Sequence, residues 1–342
     1  MEARNQFDVL AHEESPLDHA VAQRDKTSVS MVDAALRHDE AMLAFQPIVT
    51  SSKPHTIVFY EGLIRIPDPT GRIIPAGEFI HKVEELETGR LIDCKALEIG
   101  LRTLAAQPQL QLSINMSARS IGYGRWLEIL GKALRYDSTL GARLILEITE
   151  SSAMLVPELV MNFMRDMNRR GIRFALDDFG SMATSFRYLR DFQFDILKID
   201  GQFMRDIEFN ADNQVLTQAL ISIAEHFDMF AIAEAVETAE ASEWLCSTGV
   251  DCQQGYYFGV PTVHPPWVQK NRQKSKKNCL ILAGIAWELP RCSISVIKEP
   301  KKQIFSALFS VGDCKNDKCS NCLSRPHPSG QFYRILCQHA RP

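Results

Sequence analysis

The stretch LILEITESSAMLVPELVMNFMRDMNRRGIRFALDDFG, residues 144–180, decides the fold. An apolar run over 144–148 reads as a buried strand, 159–167 carries apolar residues at helical spacing, and 172–176 is a second apolar run. Each run ends in an acidic cluster, L-E-I-T-E at 146–150 and D-D-F-G at 177–180. Strand, helix and strand in that order, with polar residues at the strand ends, is the signature of a parallel β/α unit.

The same alternation extends in both directions. Downstream lie a short helix around 186–189, a strand over 196–199, a helix over 215–227, a strand over 230–233, a helix over 239–245 and a last segment near Val250. On the 215–227 helix, Val215, Leu216, Ala219, Leu220, Ile223 and Phe227 share one face. Upstream, strand 110–116 and helices 126–134 and 91–104 continue the pattern. Before them, apolar segments 42–49 and 56–66 are joined by Ser51-Ser52-Lys53-Pro54, a hairpin signal, so the first strand is expected to run antiparallel to the second. This count fits an α/β fold closed into a barrel better than an open nucleotide-binding sheet, and no G-x-G-x-x-G follows the first strand.

Seven polar clusters follow apolar runs: E-G-L-I-R (61–65), S-I-N-M-S (113–117), L-E-I-T-E, D-D-F-G, K-I-D (198–200), A-E-A-V-E-T (233–238) and Q-Q-G-Y (253–256). Parallel strands of one barrel bring such clusters to one rim, which gives Glu61, Asn115, Glu147, Asp177, Asp178 and Glu234 a shared site. Unit charges about 4 Å apart repel by roughly 4 kcal/mol at an effective dielectric of 20, so five carboxylates there must take up protons or hold cations. Oxygen ligands without His or Cys select Mg²⁺ or Mn²⁺ over Zn²⁺. Singly, each acid reads equally well as a helix cap or a solvated edge; the shared position argues for the metal. The histidines show no such order.

Bulk properties set the frame. The 342 residues are 45% hydrophobic and 23% charged, enough for one large core with appendages. A net charge of −4 argues against a generic nucleic-acid binder, so no DNA partner is expected. The longest apolar stretch, 280–287, is too short for a membrane span. The N-terminus, with Glu2, Asp8, Glu13 and Glu14, has neither a basic start nor an apolar signal core, which sets cytoplasmic location as the expectation.

In order and spacing, Phe45-Gln46-Pro47-Ile48 and the seven clusters make the chain similar, over roughly residues 40–265, to the EAL-domain cyclic di-GMP phosphodiesterases. The resemblance implies a modified TIM (β/α)8 barrel with an antiparallel first strand and metal-dependent hydrolysis of cyclic di-GMP to linear pGpG. It also implies roles for individual residues. Glu61, Asn115, Glu147 and Asp177 would hold one metal, with Asp177 shared and Asp178 serving a second. Lys198 would hold the attacking water or the phosphate, and Glu234 and Gln254 would ligate or orient that water. Arg65 would grip a substrate phosphate, with Gln46 and Asp200 also on the substrate side. Asp200 and Glu237 would support the ligands from behind, and Glu150 and Glu237 would order the loop after Asp178. A homodimer is usual for the family, and a regulatory protein partner is compatible with it.

Three positions depart from the family pattern: Gly62 for Ala, Ala235 for Gly, and the loop Gly180-Ser181-Met182-Ala183-Thr184-Ser185 for G-T-G-Y-S-S. Ala235 matters if its φ is positive. The loop opens an alternative reading, a catalytically silent barrel that binds cyclic di-GMP or a protein partner as a signalling module.

Three segments follow: 1–27, polar, aperiodic and flexible; 28–268, the barrel; and 269–342, a basic, Cys-containing tail expected to be poorly ordered. Cys94, Cys246 and Cys252 read as reduced core thiols. In the tail, Cys319-x-x-Cys322 with Cys314, Cys337 and His339 at irregular spacing is weak support for a zinc site.

Overall fold

The computed structural model of the chain describes residues 16–181 and 189–268, with side chains from residue 23 onward. The altered loop at Met182 and Ala183, most of the short helix near 186–189, and the whole 269–342 tail with its cysteines lie outside the described residues.

The helices and strands run in chain order as follows: α1 Pro16–Arg37, β1 Met42–Thr50, β2 Ile57–Pro67, β3 Ile73–Pro75, α2 Ile80–Val83, α3 Glu87–Ala106, β4 Leu112–Asn115, α4 Gly124–Tyr136, β5 Leu144–Thr149, α5 Glu150–Ala153, α6 Pro157–Asn168, β6 Arg173–Phe179, β7 Ile196–Ile199, α7 Ala211–His226, β8 Phe230–Ala233, α8 Ala239–Thr248 and β9 Cys252–Gln254. Strand order is β1-β9-β8-β7-β6-β5-β4-β2, and the β1–β2 pairing closes the ring, with β3 added outside on β2. β1 is antiparallel to both neighbours, pairing Gln46 with Glu61 on β2 and Ile48 with Gln254 on β9. The other contacts within the ring are parallel. The modified barrel with a reversed first strand is therefore the fold.

Local chemistry sets the element ends. Asn210 caps α7 by accepting from the backbone N–H groups of Asp212 and Asn213, Thr238 caps α8 by accepting from Ala241, and Gly249 ends α8 with φ 87°. β5 is buried on both faces from Leu144 to Ile148, as expected of a parallel strand covered by helices on the outside and side chains within.

Two expectations need correction. α1 begins at Pro16, inside the stretch that reads as polar and aperiodic, and its Val32 and Ala35 are buried against α3 and the hairpin. The face α7 buries is Thr217, Leu220, Ile221 and Ala224, whereas Val215 and Leu216 are 65% and 48% exposed. Apolar residues wrap much of that helix, so their spacing does not select the arc that meets the barrel. The three cysteines of the barrel are free thiols, Cys94 and Cys252 buried and Cys246 half-buried. Among the described residues no helix is long and apolar enough to cross a membrane.

Candidate metal centre at the barrel rim

A buried apolar layer crosses the barrel interior: Ile48 on β1, Phe59 on β2, Ile145 on β5, Ala175 on β6, Ile196 on β7, Ile232 on β8 and Cys252 on β9. Side chains two residues apart on a strand share a face. One step towards the carboxyl ends of the parallel strands therefore places Glu61, Glu147, Asp177, Lys198, Glu234 and Gln254 on top of that layer. On β1, which runs the other way, the matching step is backwards, from Ile48 to Gln46. The polar site is thus the next interior layer of the barrel, and the pleat of the strands puts it there.

Lys198 stands at its centre, 1% exposed. Its Nζ lies 2.6 Å from Glu234 Oε1, 2.7 Å from Glu147 Oε2, 2.9 Å from Asp177 Oδ1 and 3.4 Å from Glu61 Oε2. Gln254 Nε2 donates to Glu61 Oε2 at 2.6 Å and to Gln46 Oε1 at 3.1 Å, while Gln46 Nε2 donates to the Gly259 carbonyl. Asn115 Nδ2 donates to Glu61 Oε1 at 2.8 Å, which leaves the Asn115 carbonyl oxygen free to face a cation.

Asp177 and Asp178 are adjacent, so regular pleating would send them to opposite faces. A register shift between Leu176 and Phe179 and a left-handed φ of 54° at Asp178 re-aim the second carboxylate. Carboxylate oxygens of Asp177, Asp178 and Glu234 come within 4.8 Å of one another.

One ammonium cannot neutralise five carboxylates, and the protonation of the cluster reflects that. Burial first, then the charges of Glu61 and Asp177, push the Glu147 carboxyl up to about 8 despite Lys198. Burial also drives Glu234 well above the usual carboxylate range. Desolvation at the crowded rim, with Asp177 and Asp200 nearby, raises Asp178 to about 6. Burial alone would raise Glu61, but Lys198, Gln254 and Asn115 outweigh it and hold Glu61 below its ordinary value. Lys198 is disfavoured by burial yet held charged by its carboxylate neighbours.

The donor set fits a hard divalent cation. Of seven buried polar side-chain atoms without a hydrogen bond among the described residues, Glu147 Oε1, Asp177 Oδ1 and Gln254 Oε1 lie in this site, and all three are acceptors. Asp177 Oδ1 does pair with Lys198 by charge at 2.9 Å, but that contact lacks the alignment of a hydrogen bond. Buried acceptor oxygens left without a donor are what a metal would satisfy. The acidic group can therefore hold a metal ion.

The remaining sequence-derived positions divide. Arg65, half-buried further along β2, donates to its neighbour's carbonyl, and burial lowers its guanidinium's affinity for protons although Glu61 and Tyr256 oppose this. Glu150 is 1% exposed and accepts the Gly180 backbone N–H at 3.0 Å. Asp200 spends an oxygen on the Gln202 backbone N–H at 2.7 Å, outside the ring around Lys198. Glu237 is exposed and makes no hydrogen bond or ion pair among the described residues.

Ala235 has φ 51°, so the departure from glycine falls where glycine is favoured. Its methyl also crowds position 201, where an added Cβ would lie 2.6 Å from Ala235 Cβ, so a glycine there makes room. Gly255, after Gln254, has no room for a side chain: a Cβ would sit 2.0 Å from the Val236 carbonyl oxygen.

The site opens into a cavity of about 480 Å³ between the rim and α2, α3 and α5, with Ile64, Ile80, Ile92 and Met116 on one wall and Arg119 on its lining. Arg119, paired with Glu85, and Asp93 were not singled out from the sequence. Asp93 did leave a signal, a carboxylate between Ile92 and Cys94 on the inward face of a helix; Arg119 left none.

Comparison with known proteins agrees with this geometry. Residues 29–261 match the family model described as EAL domain. The chain is 31% identical over 234 residues to cyclic di-GMP phosphodiesterase PdeB of Shewanella oneidensis, covering 66% of this chain and 27% of that protein. It is 28% identical over 243 residues to cyclic di-GMP phosphodiesterase PdeF of Escherichia coli, covering 70% and 32%. The chain thus spans about a third or less of the length of these relatives. Among solved structures, the FimX EAL domain of Pseudomonas aeruginosa bound to c-di-GMP superposes with TM-score 0.63 at 25% identity, covering 69% of this chain and 96% of that one. The barrel, its reversed first strand and the family match together establish that this chain belongs to the EAL domain family.

Proposed function

We propose that the chain hydrolyses one phosphodiester bond of cyclic di-GMP, giving linear pGpG, with Mg²⁺ or Mn²⁺ held at the barrel rim. The observation that carries this reading is the layer of Glu61, Glu147, Asp177 and Glu234 around Lys198, with Glu147 Oε1 and Gln254 Oε1 left without donors and with Glu61, Glu147 and Asp177 lining a cavity. The two relatives, both cyclic di-GMP phosphodiesterases, supply the substrate.

Glu61, Asn115, Glu147 and Asp177 would hold one cation and Asp178 a second, with Glu234 and Gln254 orienting water. A divalent cation bound there supplies positive charge to phosphoryl oxygens and acidifies water. Lys198 gathers the carboxylates around one cation and contributes its own charge to the anionic transition state. Arg65 grips a substrate phosphate, with Gln46 and Asp200 on the same side. Glu150, holding Gly180 two residues past Asp178, orders the start of the following loop; Glu237 is assigned the same task from the family resemblance. The functional unit is the barrel of residues 28–268, acting in the cytoplasm and as a homodimer.

Incubating the purified chain with cyclic di-GMP and Mn²⁺ or Mg²⁺ should yield pGpG, and EDTA should stop it. Tight binding without pGpG would instead support the silent signalling barrel, the reading favoured by the alanine at the left-handed position 235.

A further inference from the structure

Asp93 lies outside the ring of site carboxylates, yet it is buried on the inner face of α3 and lines the same cavity. A carboxyl group in such a place costs free energy unless its oxygens are used. Its Oδ2 accepts the Ser117 backbone N–H at 3.0 Å and the Ser120 hydroxyl at 2.6 Å. Both donors belong to the turn that begins where β4 ends at Asn115. The same turn is braced from the other side, where Ser152 Oγ accepts the Ala118 backbone N–H at 2.8 Å, and at its root, where Met116 N–H donates to the Glu147 carbonyl at 2.8 Å. Asn115 therefore leaves its strand into a turn clamped between α3 and α5.

We infer that Asp93 is a positioning residue for the metal centre: by fixing the 117–120 turn it sets the direction in which the Asn115 carboxamide faces the cation. This rests on the metal site proposed above. Asp93 does not touch the cation or the substrate. One of its hydrogen bonds holds the backbone two residues beyond the ligand and the other the Ser120 hydroxyl at the far end of the same turn, and the Asn115–Glu61 hydrogen bond fixes the other end of the carboxamide. A role confined to stapling α3 onto the barrel would change stability and leave metal affinity alone.

The test is Mn²⁺ binding by the full chain without substrate, followed as loss of the free aquo-Mn²⁺ EPR signal, together with thermal unfolding. Asp93→Ala should weaken Mn²⁺ binding about tenfold, the lower end for groups behind a ligand, whereas Asp93→Asn, whose carbonyl oxygen accepts the same two bonds, should stay within about threefold of wild type. Wild-type affinity in Asp93→Ala, or Asp93→Asn as weak as Asp93→Ala, overturns the inference. Should Asp93→Ala fail to fold, Ser120→Ala removes one bond alone: a few-fold loss of Mn²⁺ affinity supports the role and unchanged affinity overturns it. Absence of Mn²⁺ binding by the wild-type chain would overturn the metal reading itself, and this inference with it.

Discussion

Lys198 holds four carboxylates within 3.4 Å while nearly excluded from water. Removing one partner of a buried ion pair leaves the other uncompensated, which costs about 3–5 kcal/mol. Lys198→Met should therefore lower unfolding stability by about that amount in EDTA, with partial recovery in Mn²⁺, as read by urea denaturation. Asp177→Asn tests the other sign: with one negative charge fewer the barrel should stay folded, while pGpG formation falls by at least about a thousandfold if Asp177 ligates both cations. Protonation follows from the same crowding. Glu147 and Asp178 rise from ordinary values of 4.5 and 3.8 to about 8 and about 6, so between those limits the folded chain binds more protons than the unfolded one. Their contribution to stability is thus fullest below about pH 4 and is lost as pH climbs towards 8 in the metal-free protein. Cation binding must expel those protons, so the rise in melting temperature caused by Mn²⁺ should grow from pH 6 to pH 8. A flat profile would count against carboxylate ligation.

At the level of elements, the strand ends carry backbone strain where the site is built. Asp178 at the end of β6 and Ala235 just past β8 both take positive φ, and both sit next to a site carboxylate. Left-handed geometry costs an L-residue about 1–2 kcal/mol, and a glycine gives back part of that gain through its looser unfolded chain. Ala235→Gly should raise stability by about 0.5–1 kcal/mol, visible as a higher denaturation midpoint. If the strain at 235 also tilts Glu234, the same variant should increase pGpG formation; an unchanged rate would confine the effect to stability. At the other end of the barrel sequence, Thr262 exchanges backbone hydrogen bonds with Phe45, and Trp267 packs edge-on against Phe45 and Tyr60 at ring separations of 5.1 Å and 4.9 Å. The segment after β9 is therefore part of the packing of β1 and β2.

For the whole molecule, this packing carries the barrel at least as far as Trp267. A chain stopped after residue 268 should keep the unfolding midpoint and Mn²⁺ affinity of the full chain. Stopping after residue 264 removes Trp267 and two ring contacts worth about 0.5–1.5 kcal/mol each, so its midpoint should fall. Equal midpoints for the two truncations would refute the assignment of Trp267 to the barrel. The barrel was legible because its signals are local: apolar runs of strand length, helical spacing between them, a four-residue hairpin turn, and acids at the run ends. Glu61, Asn115, Glu147, Asp177, Asp178 and Glu234 could be named together because parallel strands must deliver their ends to one rim. Spacing did not reveal the start of α1 at Pro16, since a helix stabilised through Val32 and Ala35 needs no apolar residue in its first turns. Nor did it reveal which arc of α7 is buried, because that depends on the surface it meets. By itself, the sequence determined the order of the elements, the reversal of the first strand and the chemical identity of the site, all consequences of chain-local periodicity and residue type. Only the tertiary structure decided that one lysine lies among four carboxylates, that Ala235 is left-handed, and that Asp93 braces the turn after Asn115, because each depends on where distant segments meet when the ring of strands closes.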